Sequence, residues 1–301
     1  MPKPDKVIPS ECAGYSVGET TASYGPKDVM LYALGLGVST DPLDPLDLKF
    51  TYENAEDFAP LPSFAVVLSS FEDLFGALTA CPGLPEFNPM MLLHGEEKVT
   101  LFKSLEPEAA LVHKASIKNV YDKGSGALLV VVVESFEQDS GEKVCALEHS
   151  LFIRGIGGFG GDKGPAPASN KPPKRVPDAV FKKETSANQA LIYRLSGDMN
   201  PLHADPNMAA MGGFDKPILH GLCFFGIATH GVVREMCEND PSRVLSVEGR
   251  FASPVLPGDP LRVEMWKEGG RVLFQVVNER TNKVSLANGA VALRGPSQSS
   301  L

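Results

Sequence analysis

The residues best suited to chemistry lie in Tyr193-Arg194-Leu195-Ser196-Gly197-Asp198-Met199-Asn200-Pro201-Leu202-His203, where a carboxylate, a carboxamide and an imidazole fall within six positions. Gly197 and Pro201 interrupt any helix there, so the three side chains belong to a polar, bent segment. Helix ends must hold that segment from both sides. Upstream, Thr185 or Ser186 is a candidate cap for a helix in which Ala187, Leu191, Ile192 and Leu195 recur at helical spacing. Downstream, Asp205-Pro206 reads as a second helix start, with aspartate as cap and proline at the first helical position.

For a lone Asp or Asn the simpler reading is a capped turn. The segment that follows favours a site. Residues 217–233 are apolar almost all round and end in the charged Arg234-Glu235, the pattern of a helix buried by its own domain. Gly221, at its start, has no side chain to keep a ligand from the free N–H groups of a first turn. Such groups stabilise negative charge developing on a carbonyl oxygen. An acid, an imidazole and an oxyanion donor are together the parts needed to add water across an activated double bond.

The run from Tyr193 to His203, with Ala209 beyond it, resembles the signature of the (R)-specific 2-enoyl-CoA hydratases of hydratase 2 type, within the wider MaoC-like dehydratase group. Four other stretches are similar to that family: Lys216-Pro-Ile-Leu-His-Gly-Leu222, Leu93-His-Gly-Glu96, Asp122-Lys-Gly-Ser-Gly126 and Met265-Trp-Lys-Glu-Gly269. The resemblance runs from about Tyr32 to Leu293, nearly the whole chain. It is most like the hydratase region of peroxisomal multifunctional β-oxidation enzymes.

The resemblance implies an α+β double hot-dog, two repeats in which an antiparallel sheet wraps a long central helix. It implies a hydro-lyase that reversibly hydrates trans-2-enoyl-CoA to (3R)-3-hydroxyacyl-CoA in fatty acid β-oxidation. Asp198 and His203 would hold the attacking water, with their acid and base roles left undivided. Asn200 would fix that water or the pair, and the Gly221 N–H would face the thioester oxygen. Substrate contacts are implied at His94, Gly95, Lys123 and Phe251, and support for the site at Glu53. No cofactor is implied beyond the CoA of the substrate, and no metal; the expected state is a homodimer. Rival readings are a dehydratase working in the synthetic direction on acyl-carrier-protein thioesters, a thioesterase on the same fold, and a non-catalytic acyl-CoA-binding module.

Composition sets outer bounds. A chain of 301 residues with 43% hydrophobic residues can build a full core. A net charge of -9 argues against general nucleic-acid binding, which needs a basic footprint. No apolar run approaches the ~20 residues of a membrane span, and the N-terminus has no apolar core of a secretory signal. The five cysteines, Cys12, Cys81, Cys145, Cys223 and Cys237, show no close metal-ligand spacing and read as reduced thiols. Of the histidines, His113, His149 and His230 read as structural or surface residues.

Along the chain, residues 1–24 read as an irregular lead-in with any strand there short, 27–37 as a helix, 48–53 as a strand and 64–78 as a buried helix. Strands are expected at 92–105, 110–121, 127–136 and 144–153. The order then repeats, with the 217–233 helix followed by strands at 244–251, 261–267, 271–278 and 284–293. Phe102 to Leu111 parallels Phe251 to Leu261, so an internal duplication is expected. The expected domains are a non-catalytic half at 1–154 with the acyl-chain pocket, a Gly/Pro-rich linker at 155–184, a catalytic half at 185–295 and a tail at 296–301. Gly155 to Gly160 satisfies G-x-G-x-x-G, but no helix opens after it, so it reads as linker. Lys171, Lys174 and Arg175 read as solvated linker charge. The final Ser299-Ser300-Leu301 resembles a peroxisomal address without its lysine. Peroxisomal localisation is therefore expected, with the cytoplasm as the alternative.

Overall fold

The structure, a computed structural model, describes residues 3–69, 76–166 and 169–295. Ten strands form one antiparallel sheet: β1 (Ser16–Tyr24), β2 (Leu92–Leu101), β3 (Ala109–Asp122), β4 (Gly126–Glu137), β5 (Lys143–Arg154), β6 (Ala179–Glu184), β7 (Val244–Phe251), β8 (Pro260–Glu268), β9 (Arg271–Asn278) and β10 (Lys283–Leu293). Their spatial order is β1-β3-β4-β5-β2-β7-β10-β9-β8-β6. Read outward from the centre, β2-β5-β4-β3-β1 has the same topology as β7-β10-β9-β8-β6. The expected duplication is therefore present in three dimensions. The halves join where β2 pairs with β7, a short ladder with Lys98 opposite Glu248. Two equivalent strands meeting antiparallel make a pseudo-twofold, the arrangement of a double hot-dog.

Alternation builds the buried face. Leu129, Val131 and Val133 of β4 are buried on the same side as Leu147, Leu151 and Ile153 of β5 and Val263 and Met265 of β8. The short helices are α1 (Pro9–Cys12), α2 (Pro26–Gly35), α3 (Pro45–Thr51), α4 (Gln189–Tyr193) and α5 (Pro206–Met211). The long one is α6 (Gly221–Met236). Every residue of α6 from Leu222 to Val233 is buried, as its lack of a polar face requires. A Cβ added at Gly226 would lie 2.6 Å from Leu36 and 2.7 Å from the Tyr32 hydroxyl, so any larger residue would have to push back the side chains that α2 packs against α6. Asp47 of α3 pins the other end of α6, accepting from His230 Nε2 at 3.1 Å and Arg234 at 2.9 Å. Burial pushes its carboxyl up, but the hydrogen bond and charge of His230 outweigh that and bring it down to about 2. None of the described helices is long and apolar enough to cross a membrane.

Several local expectations need correction. Residues 48–53 are not a strand: Asp44 caps α3 through Leu46 N–H at 3.0 Å, and the helix runs to Thr51. Residues 62–67 form a 3-10 helix, and a helical turn at 76–78 follows; residues 70–75 of the expected 64–78 helix lie outside those described. The lead-in contains β1, nine residues long, and the stretch assigned to linker contains β6. Arg175 is exposed, as expected of solvated linker charge, and it also ties the segment to β8 by bonding Asp178 at 2.6 Å and Glu268 at 3.1 Å. The glycine-rich segment is clasped rather than loose. Asp122 accepts from the N–H groups of Gly124 (2.8 Å), Gly158 (2.9 Å) and Gly160 (2.8 Å), which hold its carboxyl below the usual range.

Candidate active site

The polar segment begins where α4 and a 3-10 turn (Arg194–Ser196) end at Gly197. Its φ of 131° is open to glycine and strained for other residues. Neither Thr185 nor Ser186 caps α4 with its side chain. Thr185 Oγ1 instead donates to the Asp259 carbonyl at 2.8 Å, and Leu191 and Leu195 are exposed; Gln189, Ala190 and Tyr193 are the residues α4 buries. Asp198 Oδ1 accepts from Asn200 N–H at 3.2 Å, and Asn200 Oδ1 caps the next 3-10 turn (Pro201–His203) through Leu202 N–H at 3.0 Å. Asp205 caps α5 as expected, accepting from Asn207 N–H at 2.8 Å. Successive side-chain caps thus fix the bend, leaving the Asn200 amide nitrogen as a donor.

His203, 9% exposed, donates Nδ1–H to the Ile218 carbonyl at 2.8 Å. That bond puts the lone pair of the neutral ring on Nε2. Burial lowers the His203 pKa, an effect only partly offset by the nearby Asp198 carboxylate, so the ring is neutral at neutral pH. Donor atoms of Asp198, His203 and His220 all lie within 4.8 Å of one another. A water accepting or donating two hydrogen bonds of about 2.8 Å spans such a gap.

His220 stands at this site too, a neighbour that sequence reasoning passed over. It is fully buried, its ring stacks on His203 with centroids 3.8 Å apart and planes at 29°, and its Nε2–H reaches the Asp198 carbonyl at 3.2 Å. Burial, then the neighbouring His203, pushes its pKa down to about 2, so it stays a neutral spacer. Its position immediately before Gly221, at the mouth of the apolar helix, was the available signal. Lone pairs of imidazole lie in the ring plane, so stacked rings aim theirs side by side rather than at one point. The trio therefore suits a water better than a metal ion.

His220 precedes the first residue of α6, and Gly221 N–H has no partner within the helix by construction. A Cβ on Gly221 would stand 3.0 Å from the Phe251 ring. Phe251 in turn meets the His94 ring edge to face at 5.2 Å. The structure thus gathers Asp198, Asn200, His203, Gly221, Phe251 and His94, with Gly95 beside His94 on β2. Two other residues bond elsewhere. Lys123, in the exposed β3–β4 turn, donates to the Lys163 carbonyl and lies over the Tyr121 ring; Glu53, in an exposed turn after α3, accepts from Asn54.

A neutral imidazole with a free lone pair, a carboxylate across a water-sized gap and a helix mouth beside them define a MaoC-like hydratase. The chain belongs to this family: the MFE-2 hydratase 2 N-terminal domain matches residues 23–155 and the MaoC-like domain residues 168–288. It is 43% identical to a probable enoyl-CoA hydratase 2 of Dictyostelium discoideum over 91% of this chain and 92% of that protein. It is also 43% identical to peroxisomal multifunctional enzyme type 2 of Mus musculus, over 93% of this chain but only 38% of that longer protein. Among solved structures, a MaoC-like dehydratase from Phytophthora capsici superposes with a TM-score of 0.84 at 36% identity, covering 94% of this chain and 97% of that one.

Proposed function

We propose that the protein is a hydro-lyase that adds water to trans-2-enoyl-CoA, giving (3R)-3-hydroxyacyl-CoA, in fatty acid β-oxidation. The observation that carries the assignment is the Asp198–His203 pair, with donor atoms within 4.8 Å at the mouth of α6. The thioester carbonyl draws electrons from the β-carbon, and the Gly221 N–H receives the charge that reaches its oxygen; one such donor is worth about 3 kcal/mol. Neutral His203 takes a proton from water through Nε2 as the water oxygen bonds to the β-carbon. Asp198 steadies the imidazolium, and the enolate collapses as the same proton returns to the α-carbon. One water is consumed and nothing is oxidised or reduced, so the step needs no redox cofactor. Asn200 positions the water.

The first-half residues around Tyr24, Phe64 and Val67, with Leu195 and Ser196, line a cavity of about 160 Å³ next to the polar segment. This supports a role for the first half in receiving the acyl chain. The peroxisomal name of the mouse relative supports a peroxisomal location; residues 299–301 lie outside those described. A fluorescent fusion with and without Leu301 tests the address, and light scattering tests the proposed homodimer. The central experiment is hydration of crotonyl-CoA by the purified chain with chiral analysis of the product. A (3S) product, or no turnover on short, medium or long enoyl-CoAs, overturns the assignment.

A further inference from the structure

In a regular strand, residues three apart point to opposite faces. On β2 they do not. The β2–β5 register slips between His94, opposite Leu151, and Glu96, opposite Ser150. The bulge at Gly95 turns His94 onto the buried face that Glu97 already occupies. Glu97 stands directly opposite His149. The result is a cluster in the non-catalytic half: Glu97 is 1% exposed, its Oε2 accepts from His149 Nδ1 at 2.6 Å and lies 2.9 Å from His94 Nε2. Burial pushes the Glu97 carboxyl up, but the two imidazoles more than offset this and keep it below its ordinary range. A buried carboxylate held by two histidines is poor value as core filling, since apolar residues of the same volume commonly do as well.

The cluster points across the junction between the halves. The His94 ring meets Phe251 of β7 at 5.2 Å, and Phe251 lies against the Gly221 backbone, 3.0 Å from where a Cβ would be. We propose that Glu97 and His149 are positioning residues for the hydration: they fix His94, His94 fixes the Phe251 ring, and that ring sets the opening through which the thioester carbonyl reaches Gly221 N–H. The inference rests on the hydratase reading above. A ring displaced by a fraction of an ångström disturbs contacts that matter most in the transition state, so the loss falls on kcat rather than KM.

The test is a double-mutant cycle on the full chain with crotonyl-CoA, with thermal midpoints measured alongside. Glu97→Gln, nearly isosteric, is expected to lower kcat about tenfold with KM changed less than about twofold, and Phe251→Leu to act similarly. Because both act through one ring, the double variant should be close to the worse single variant rather than their product. If Glu97→Gln fails to fold, His94→Phe keeps a ring against Phe251 without its hold on the carboxylate, and the same cycle is run with it. An unchanged kcat, a purely thermal effect, or multiplicative losses overturn the proposal. An inactive wild-type chain would instead overturn the hydratase reading, so the two failures are distinguishable.

Discussion

The two halves have the same five-strand topology and opposite equipment. The second wraps its sheet around α6 and sets Asp198, Asn200 and His203 at that helix's mouth. The first has a 3-10 helix at 62–67 and no Asp-x-Asn-Pro-x-His sequence; its buried polar pairs include Glu97–His149 and His113–Ser135. Yet it touches the site repeatedly. The Val67 carbonyl lies 3.3 Å from where a Cβ on Gly197 would be, Tyr32 and Leu36 crowd Gly226, and His94 reaches Phe251. On the proposed function, a duplicated scaffold divides its labour here, one copy keeping the reacting groups while the other shapes the space around them.

The largest expected effects test whether chemistry resides in one half alone. Asp198→Asn and His203→Ala should each cost a hundredfold or more in kcat, the scale of a positioned acid or base; near-wild-type rates in both would erase the asymmetry. Gly221→Val comes next. Its side chain meets the Phe251 ring and pushes the thioester carbonyl off the N–H, forfeiting part of the ~3 kcal/mol of an oxyanion donor, so kcat should fall at least about tenfold with a normal far-ultraviolet spectrum.

The pH profile of kcat/KM sharpens the picture. His203 must be neutral to accept a proton, and burial holds its pKa below 6.5, so the rate should stay flat through neutrality and fall only on the acid side of 6.5. An acid limb above 7 would place the base elsewhere. The smallest effect concerns the tie between α3 of the first half and α6 of the second. Asp47 has a folded pKa of about 2 against a reference of 3.8. Its contribution is thus full above the reference value and is lost as pH falls from about 4 to about 2. That difference corresponds to about 2 kcal/mol at neutral pH. Urea melts of the wild type and Asp47→Asn across that window should converge as the pH drops.

What was legible in the sequence follows from where water is. The strands of the sheet interior announced themselves through apolar alternation, and Asp198 and His203 through spacing along one bent segment. The two strands that escaped notice, β1 and β6, are the two edges of the sheet. With most of their side chains wet, as in Ser16–Tyr24 and Ala179–Glu184, they lack the pattern that reveals a strand. His220 hid because its partners, Asp198 and His203, lie 22 and 17 residues upstream. Glu97 hid because its partner is 52 residues away and a bulge changes which face His94 occupies.

The ladder between β2 and β7 carries an implication for taking the protein apart. Each half spends its inner edge on the other, so a half produced by itself bares a strand whose unpaired N–H and C=O groups invite a new neighbour. The pseudo-twofold at Lys98 and Glu248 means that another copy of the same half already has nearly the right register to fill the place. Splitting the gene at the glycine-rich connection should therefore yield self-paired modules rather than monomers, each restoring by assembly what the single chain achieves by fusion.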